Sequence, residues 1–456
     1  MLVSFAINAQ VREVPLKDFF KNPEKTGYQI SPDGNYYSFL APWESRLNIF
    51  VQKIGDNDAV RITSAKERDI TSYFWKGNNK IMYLQDKAGD ENFKLYSVNK
   101  DGSDLKLLTP EDKVRAGIVD DLEDIDDYML ISTNERNPQA FDVYRLNVNT
   151  GEKKMIAENP GNIMGWITDH DGKLRVATAS DGVNSVVLYR DTEEEPFKEV
   201  LVTNFRDELN PLFFTFDNKF MYASSNLGRD KSAIVKFDIA NGKELELMYE
   251  NPDVDVSGLS YSRKRKVLTT ISYVKEKREM KFLDSETEKR YDRLKKELGD
   301  YEVVITGLNK NEDKFLVRTY SDRSLGSYYF YDAASDKLSK IVEVSPWLNE
   351  NELAVQKPVT YKSRDGLTIH GYLTLPVGVE PKNLPVVMNI HGGPWARDNW
   401  GFNPEVQFLA NRGFAVLQVN YRGSTGYGKK FWEASFREWG KKMQDDVSDG
   451  VKWLIS

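Results

Sequence analysis

The sequence predicts an all-β, seven-bladed β-propeller followed by the N-terminal part of an α/β domain. From about residue 30 onward, short strands rich in Val, Ile, Tyr and Phe alternate with Gly- and Asp-containing turns. One phrase within these strands recurs at a nearly constant spacing. After Trp347 the pattern changes to strand, loop and helix. We therefore predict an N-terminal arm at 1–29, the propeller at 30–346 and the second domain at 347–456.

The repeated phrase is an aromatic or apolar residue followed within one to three positions by an Asp, Asn or Lys that opens a turn. Successive anchors lie 46, 48, 45, 46, 47 and 47 residues apart. Propeller blades repeat at about 40 to 50 residues, so six such intervals predict seven blades. A pair of stacked sandwiches is the alternative, but independent sandwiches have no reason to keep a constant phase. The anchors are Phe50, Tyr96, Tyr144, Tyr189, Val235, Phe282 and Tyr329.

One blade carries an extra helix. DSETEKRYDRLKKELGD follows the sixth anchor, and Ser285 and Glu288 are spaced as a capping box. Tyr291, Leu294 and Leu298 would share one face of this helix. The charged residues on its other faces indicate a solvated surface rather than a ligand site.

Composition excludes several classes of function. Lys plus Arg total 63 against 70 Asp plus Glu, and this net charge of -7 argues against binding nucleic acid through its phosphates. The absence of Cys excludes disulfides, thiolate metal sites and a cysteine nucleophile. No apolar run approaches the ~20 residues of a membrane span. We predict no cofactor and no metal, and a catalytic imidazole could come only from His170, His370 or His391.

Both ends of the chain are unusual. MLVSFAINAQ is typical of the last part of a secretory signal peptide, although an ordinary N-terminal arm is the alternative. The sequence therefore leaves both a periplasmic and a cytoplasmic location open. At the other end, Val447, Val451, Leu454 and Ile455 have helical spacing and the chain then stops. We expect this end to be a cut.

The second domain contains a motif with chemical meaning, NIHGGPWARDNWG at 389–401. Glycines that directly follow a buried strand let the backbone turn sharply and leave its N–H groups free to face an oxyanion. An HGG turn serves this purpose in α/β-hydrolases. In a mostly parallel sheet, strands are predicted at 355–361, 367–375, 386–391 and 415–419, and helices at 405–412 and 445–455.

A second motif, VNYRGSTGYG, follows this turn by one helix and one strand, and a Trp-Gly pair and QDDVSDGVKWL come after it. Together with HGGP, these motifs resemble the prolyl oligopeptidase family of serine peptidases, most closely its acylaminoacyl peptidase and dipeptidyl peptidase branch. The resemblance covers nearly the whole chain and is most specific over 386–456. It implies a propeller that covers the active-site face of an α/β-hydrolase domain and exopeptidase-type hydrolysis of short peptides.

The resemblance also assigns residues. The backbone N–H of Gly393 corresponds to an oxyanion-hole donor. His391 stands where two other branches carry a Tyr that helps bind the oxyanion, which leaves a side-chain donor in doubt. Residues of the NYRG loop support the site, with plain loop packing and surface pairing as the alternative. The supporting residues are His391, Gly392, Pro394, Tyr421 and Arg422.

The sequence contains no recognisable serine-hydrolase triad. No Ser has Gly both two residues before and two residues after it, and Ser424 lies in a loop before a helix. His391 belongs to the glycine turn, His370 to a strand and His170 to a propeller turn. In the family the nucleophile follows the QDDVSDGVKWL helix, so we expect the triad beyond Ser456. This chain alone should then be inactive and unstable, with an open sheet edge at its apolar strand.

The function implied is a serine-type exopeptidase of the dipeptidyl or acylaminoacyl type, with the propeller gating access for short peptides. A non-catalytic propeller binding protein with a degenerate hydrolase remnant is the alternative, but such a protein has no use for an oxyanion turn. An esterase of the HGGG lipase type does not explain the propeller. The sequence predicts no nucleic-acid partner and no membrane span, and it allows a homo-oligomer of the full-length protein.

Overall fold

The structure is a computed structural model that describes residues 12–110 and 113–456. The signal-like start, MLVSFAINAQ, lies outside the described residues. A short helix, α1 (Leu16–Phe19), comes first. In the described ranges the strands then form eight sheets, and seven of these follow one another along the chain. Within each of the seven, consecutive strands pair antiparallel, which confirms the predicted propeller.

The first four blades are meanders of four strands. Blade 1 contains β1 (Thr26–Ile30), β2 (Tyr36–Trp43), β3 (Arg46–Lys53) and β4 (Ala59–Arg61). Blade 2 contains β5 (Tyr73–Lys76), β6 (Lys80–Gln85), β7 (Lys94–Asn99) and β8 (Lys106–Leu107). Blade 3 contains β9 (Ala116–Asp120), β10 (Tyr128–Asn137), β11 (Ala140–Asn147) and β12 (Lys153–Ala157). Blade 4 contains β13 (Ile163–Thr168), β14 (Leu174–Ser180), β15 (Asn184–Tyr189) and β16 (Lys198–Asn204).

The remaining blades follow the same order. Blade 5 contains β17 (Leu209–Phe214), β18 (Met221–Ser225), β19 (Ala233–Asp238) and β20 (Lys243–Tyr249). Blade 6 contains β21 (Val256–Ser262), β22 (Val267–Val274) and β23 (Arg278–Phe282). Blade 7 contains β24 (Glu302–Leu308), β25 (Lys314–Tyr320), β26 (Ser327–Asp332) and β27 (Lys337–Glu343).

The anchors of the sequence repeat all occupy one structural position. Each lies on the third strand of its blade, from Phe50 on β3 to Tyr329 on β26. Their spacing is nearly constant because the third strand recurs once in every blade. The limits of 30 and 346 for the propeller remain predictions; β1 begins at Thr26, inside the segment assigned to the arm.

Side-chain packing between blade 1 and blade 7 closes the ring. The ring of Tyr28 on β1 lies 4.9 Å from that of Tyr328 on β26, and Leu316 is buried in the same cluster. Lys314 Nζ also donates a hydrogen bond to the carbonyl oxygen of Gly34 at 2.9 Å. In the described sheets every blade uses strands from one continuous segment, so packing joins the two ends of the ring.

The predicted helix is present as α2 (Ser285–Leu298). Its N-cap is Asp284 rather than Ser285, because the Asp284 carboxylate accepts the backbone N–H of Thr287 at 2.9 Å. Leu294 is fully buried, and Tyr291 and Leu298 pack beside it against the core of blade 7. The predicted apolar face is therefore confirmed.

The eighth sheet contains β28 (Gln356–Lys362), β29 (Thr368–Thr374), β30 (Val386–Asn389) and β31 (Ala415–Asn420), in the order β28-β29-β31-β30. Only β30 and β31 pair in parallel; the other two pairings are antiparallel. The predicted mostly parallel sheet is therefore wrong for these strands, because β28 and β29 form a hairpin with no helix between them. β30 is an edge strand of the described sheet, with Val386 39% exposed.

Helices pack beside this sheet, and two of them lie close to the predicted ranges 405–412 and 445–455. The helical elements are the short 3-10 turn Glu350–Glu352, α3 (Pro404–Asn411), α4 (Lys429–Glu433) and α5 (Lys442–Ile455). The strands and α5 enclose a core that contains Ile369, Leu417 and Met443. None of the helices in the described part of the chain is both long and apolar enough to cross a membrane.

The N-terminal arm packs on the second domain rather than on the propeller alone. The Val14 N–H donates to Asn411 Oδ1 at 2.9 Å, and the rings of Phe19 and Phe408 meet edge to face at 5.9 Å. Trp347, which follows the last blade, donates its indole N–H to the carbonyl oxygen of Asp18 at 2.8 Å. The arm thus joins the two ends of the propeller to α3.

Candidate active site

The glycine turn directly follows β30. Gly393 has a φ of +129°, a backbone conformation that residues with a Cβ rarely adopt. A Cβ at this position would lie 2.9 Å from the backbone nitrogen of Trp395. Gly393 is exposed, and its N–H donates no hydrogen bond to any described residue. The turn therefore needs glycine at 393 and presents this donor to the outside.

The structure brings His391 and Tyr421 together. Their rings stack with centroids 4.6 Å apart, and the Tyr421 hydroxyl donates to the carbonyl oxygen of His391 at 3.0 Å. His391 Nε2 lies 3.0 Å from Oγ of Ser424, which is fully buried and donates to the carbonyl oxygen of Tyr421 at 2.7 Å. These contacts attach the glycine turn to the NYRG loop. Ser424 is thus part of the scaffold and is not presented as a nucleophile.

Arg422 is turned away from the glycine turn. Its guanidinium binds the buried Asp446 on α5 and Asp365 in the β28–β29 hairpin, at 2.7 to 2.9 Å. The hydrogen bonds that Arg422 donates to Asp446 raise the pKa of Arg422. Those that it donates to Asp365 hold the pKa of Asp365 well below its usual range. Arg422 therefore anchors the NYRG loop to α5 and to the β28–β29 hairpin.

The sequence did not single out Asp398, which also belongs to this region. Its backbone N–H donates to Asn420 Oδ1 at 2.7 Å, and Asn420 Nδ2 donates back to its carbonyl oxygen at 3.0 Å. Its Oδ2 atom is buried and has no hydrogen-bond partner among the described residues. Burial raises the pKa of this carboxyl. Asp398 lies inside the NIHGGPWARDNWG motif, but only the fold shows that its carboxylate is buried.

The other two histidines have packing roles. His370 on β29 stacks on Tyr427 with centroids 4.6 Å apart, and burial lowers its pKa. His170 stacks on Phe216, and its Nε2 lies 2.9 Å from the carbonyl oxygen of Phe214. Among the residues described, no cluster of three or more His, Asp or Glu could hold a metal ion.

The loop after the NYRG motif docks on blades 5 and 6. The Gly428 N–H donates to Asp255 Oδ2 at 3.0 Å, and the Lys430 N–H donates to Asp230 Oδ1 at 2.8 Å. Arg397, four residues after Gly393, donates to the carbonyl oxygen of Lys275 at 3.0 Å. These bonds place the glycine turn beside the face of the propeller.

An open, mostly apolar cavity of about 410 Å³ adjoins the turn. Its lining includes Ile390, Pro394 and Tyr421 from the turn and loop, and Met443 from α5. Ile390 is 39% exposed and continues the free edge of β30. An exposed donor beside an apolar cavity is an arrangement suited to binding a carbonyl oxygen next to an apolar group.

Fold and site together define a seven-bladed propeller joined to the N-terminal part of an α/β-hydrolase domain. The profile of the "Prolyl oligopeptidase family" matches residues 400–456. "Dipeptidyl aminopeptidase BIII" of Pseudoxanthomonas mexicana is 34% identical over 455 residues, which cover 96% of this chain and 65% of the relative. "Dipeptidyl peptidase family member 6" of Caenorhabditis elegans is 28% identical over 500 residues, covering 100% of this chain and 66% of the relative.

Solved structures agree with this fold. Puromycin hydrolase superposes with a TM-score of 0.70 at 16% identity, over 97% of this chain and 73% of the other. A prolyl endopeptidase superposes with a TM-score of 0.72 at 13% identity, over 99% and 68%. The chain therefore resembles the prolyl oligopeptidase family, whose profile its residues 400–456 match. It spans 65% and 66% of the length of the two relatives that it matches throughout.

Proposed function

We propose that this chain supplies the propeller and the oxyanion side of a serine-type exopeptidase that cleaves short peptides by Ser-His-Asp acyl transfer. The observation that carries the proposal is the N–H of Gly393, which is exposed on a turn that only glycine fits and donates no hydrogen bond within the described part of the chain. The names of the two relatives favour release of dipeptides over acylated amino acids. The propeller gates the approach of substrate.

In this proposal Gly393 donates to the oxyanion, and its neighbours shape the turn. His391 holds the turn by stacking on Tyr421, while Gly392 and Pro394 complete the turn. Arg422 acts only by fixing the NYRG loop. The side chain of His391 is given no oxyanion role, because its Nε2 atom is engaged with Ser424 Oγ.

The nucleophile, acid and base are proposed to lie outside these 456 residues. Ser424, whose position in RGSTG comes nearest to a nucleophile motif, is buried and bonded to the loop. His170 and His370 pack against aromatic rings, and His391 belongs to the turn. The chain by itself should therefore bind peptides without hydrolysing them.

The first test compares the chain with a version extended by its downstream coding sequence. Both are incubated with a fluorogenic dipeptide substrate and with an acylated amino acid substrate. We expect no turnover from the chain and turnover from the extended protein that a serine-directed reagent abolishes. Turnover by the chain itself would contradict the placement of the triad, and an inactive extended protein would favour the non-catalytic binding protein.

A second test addresses the oxyanion donor in the extended protein. Gly393→Ala forces a Cβ into a φ of +129° and displaces the donor, so we expect kcat to fall about 100-fold. Gly392→Ala is the matched control, because its Cβ would meet nothing within 4 Å. Equal effects of the two substitutions would refute the assignment of Gly393.

A further inference from the structure

Blade 6 differs from the other six blades, because its sheet has three strands in the described ranges where each of the others has four. The segment that would supply a fourth strand forms α2 instead, and α2 packs its apolar face against blade 7. The third strand, β23, is therefore the outer edge of blade 6. No strand pairs with this edge in the part of the chain that the structure describes.

The register of β22 and β23 shows which backbone groups this edge presents. The Leu283 N–H donates to the Thr269 carbonyl oxygen at 2.8 Å. At the other end of the same ladder, the Lys275 N–H donates to the Lys277 carbonyl oxygen at 3.1 Å, and the pairing between these ends is regular. Odd-numbered residues of β23 therefore bond to β22, and even-numbered residues direct their N–H and C=O groups outward. The outward-facing residues are Arg278, Met280 and Phe282.

The outward-facing backbone groups of β23 are unpaired. The N–H and C=O groups of Arg278, Met280 and Phe282 form no hydrogen bond with any other described residue. A row of free donors and acceptors on an edge strand is a template for pairing with another strand. The edge of blade 6 can therefore accept one more strand.

The backbone of β23 can pair with a second copy of itself. The strand reads REMKF, with Met280 at its centre. In an antiparallel pair with Met280 opposite the partner's Met280, Arg278 lies opposite the partner's Phe282. Every outward-facing residue then belongs to a hydrogen-bonded pair that exchanges two bonds, and a two-fold axis passes between the two Met280 residues.

The side chains fit the same register. Glu279 lies opposite the partner's Lys281, at a position where side chains of paired strands approach most closely. Both residues are exposed, and Lys281 Nζ lies 4.5 Å from the ring of Tyr249 on the blade 5 side. On the other face, the Arg278 guanidinium meets the ring of the partner's Phe282, which is a favourable contact between a cation and an aromatic ring.

Other registers of the same pair are disfavoured. A shift by two residues in one direction places Glu279 opposite the partner's Glu279. A shift by two residues in the other direction places Lys281 opposite the partner's Lys281. Like charges directly opposite each other destabilise a strand pair, so the charges of β23 select the register centred on Met280.

We propose that blade 6 is a self-association surface, and that two copies of this chain pair through β23 with Met280 on the two-fold axis. The pairing joins the two three-stranded blades into one continuous sheet. Because the partner strand runs antiparallel, the second domains of the two copies lie on opposite sides of this sheet. The pairing does not depend on the proposed function.

Sedimentation equilibrium of the chain tests the surface. One strand pair is a small interface, so we expect a Kd on the order of 10 µM. Lys281→Glu places like charges opposite each other at both symmetry-related positions and should raise the Kd about 30-fold. Glu279→Lys should act in the same way, and the double variant should restore the original Kd. Lys243→Glu is the matched control, because it reverses an exposed charge on β20, the outer strand of blade 5.

Introduced thiols test the register, since the chain has no Cys. Copies that carry Glu279→Cys are mixed with copies that carry Lys281→Cys and are then oxidised. Opposite residues of this kind have Cα atoms about 4.5 Å apart, which suits a disulfide. We expect a disulfide-linked dimer from the mixture. Either variant alone should stay unlinked, because its two thiols would lie on a diagonal about 7 to 8 Å apart.

Three results would overturn the proposal. The first is a chain that sediments as a monomer of 52.4 kDa at about ten times the expected Kd. The second is a dimer whose Kd is the same for Lys281→Glu as for the unchanged chain. The third is equal crosslinking of the mixture and of the single thiol variants. None of these measurements needs a substrate, so they decide the surface whether or not the extended protein is a peptidase.

Discussion

The ion pair between Arg422 and Asp446 offers a direct test of what holds the candidate site in place. The side chains are 4% and 0% exposed. Arg422 donates three hydrogen bonds to this carboxylate, from its backbone N–H at 3.0 Å, Nε at 2.8 Å and Nη2 at 2.7 Å. Arg422→Ala removes the side-chain donors and leaves a buried charge almost unpaired.

Removing one partner of a buried pair costs about 3 to 5 kcal/mol. Asp365 loses the same partner but is 37% exposed, so water compensates most of that loss. The backbone N–H of residue 422 still donates to Asp446 in the variant. The loss of stability should then lie at the lower end of this range. We therefore expect the free energy of local opening around β31 and α5 to fall by about 3 kcal/mol.

Hydrogen exchange followed by mass spectrometry measures this opening without requiring the two domains to unfold together. A loss of about 3 kcal/mol accelerates exchange of the β31 amides about 100-fold. Arg293→Ala is the control, because this residue pairs with Glu297 on the surface of α2 and should cost less than about 1 kcal/mol.

Two results would refute the reasoning. One is a change of less than about five-fold in the exchange of β31, which would mean that the charge of Asp446 does not depend on Arg422. The other is an additive effect of Arg422→Ala and Asp446→Ala in a double-mutant cycle, since paired groups must show a coupling energy.

Two further predictions concern stability. Burial raises the pKa of Asp398 in the folded protein. Above this raised pKa the buried carboxylate is charged and lowers the free energy of unfolding. Below about 3.9, the pKa of an Asp in the unfolded chain, the carboxyl is protonated in both states and this cost is absent. Asp398→Asn should therefore raise the free energy of urea unfolding by about 1 kcal/mol at pH 7 and by nothing near pH 3; a gain that persists at low pH would contradict this cause. Leu294→Ala on α2 should lower the free energy of unfolding by about 3 kcal/mol, whereas the half-buried Leu298→Ala should cost clearly less; equal losses would refute the packing of Leu294 against blade 7.

The propeller could be predicted because its information is local and repeated. Each anchor, such as Phe50 or Tyr329, lies on the third strand of a blade, and a strand of one blade carries the same pattern as that of the next. The glycine turn could also be predicted from the sequence, since the positive φ of Gly393 depends on the residue type at one position. The family motifs then indicated the kind of domain in which the turn belongs.

Features that depend on ring closure or burial could not be predicted. Nothing local marks Glu123 in blade 3 as the ion-pair partner of Arg263 in blade 6, because their meeting depends on the number of blades between them. The buried state of Asp398 likewise depends on packing around it. The antiparallel pairing of β28 and β29 was missed because alternating strands and helices were assumed from the start of the second domain.

The attachment of the N-terminal arm has a consequence for synthesis on the ribosome. Val14 bonds to Asn411, a partner 397 residues later in the chain. At about 5 to 20 residues per second, the partner emerges about 20 to 80 s after the arm. During this interval the apolar side chains of Val14 and Phe19 lack the α3 residues on which they finally pack. The propeller blades, which lie between the arm and α3 in the sequence, can already form. We expect translation rate and chaperones to affect the yield of folded protein through the exposed N-terminal arm.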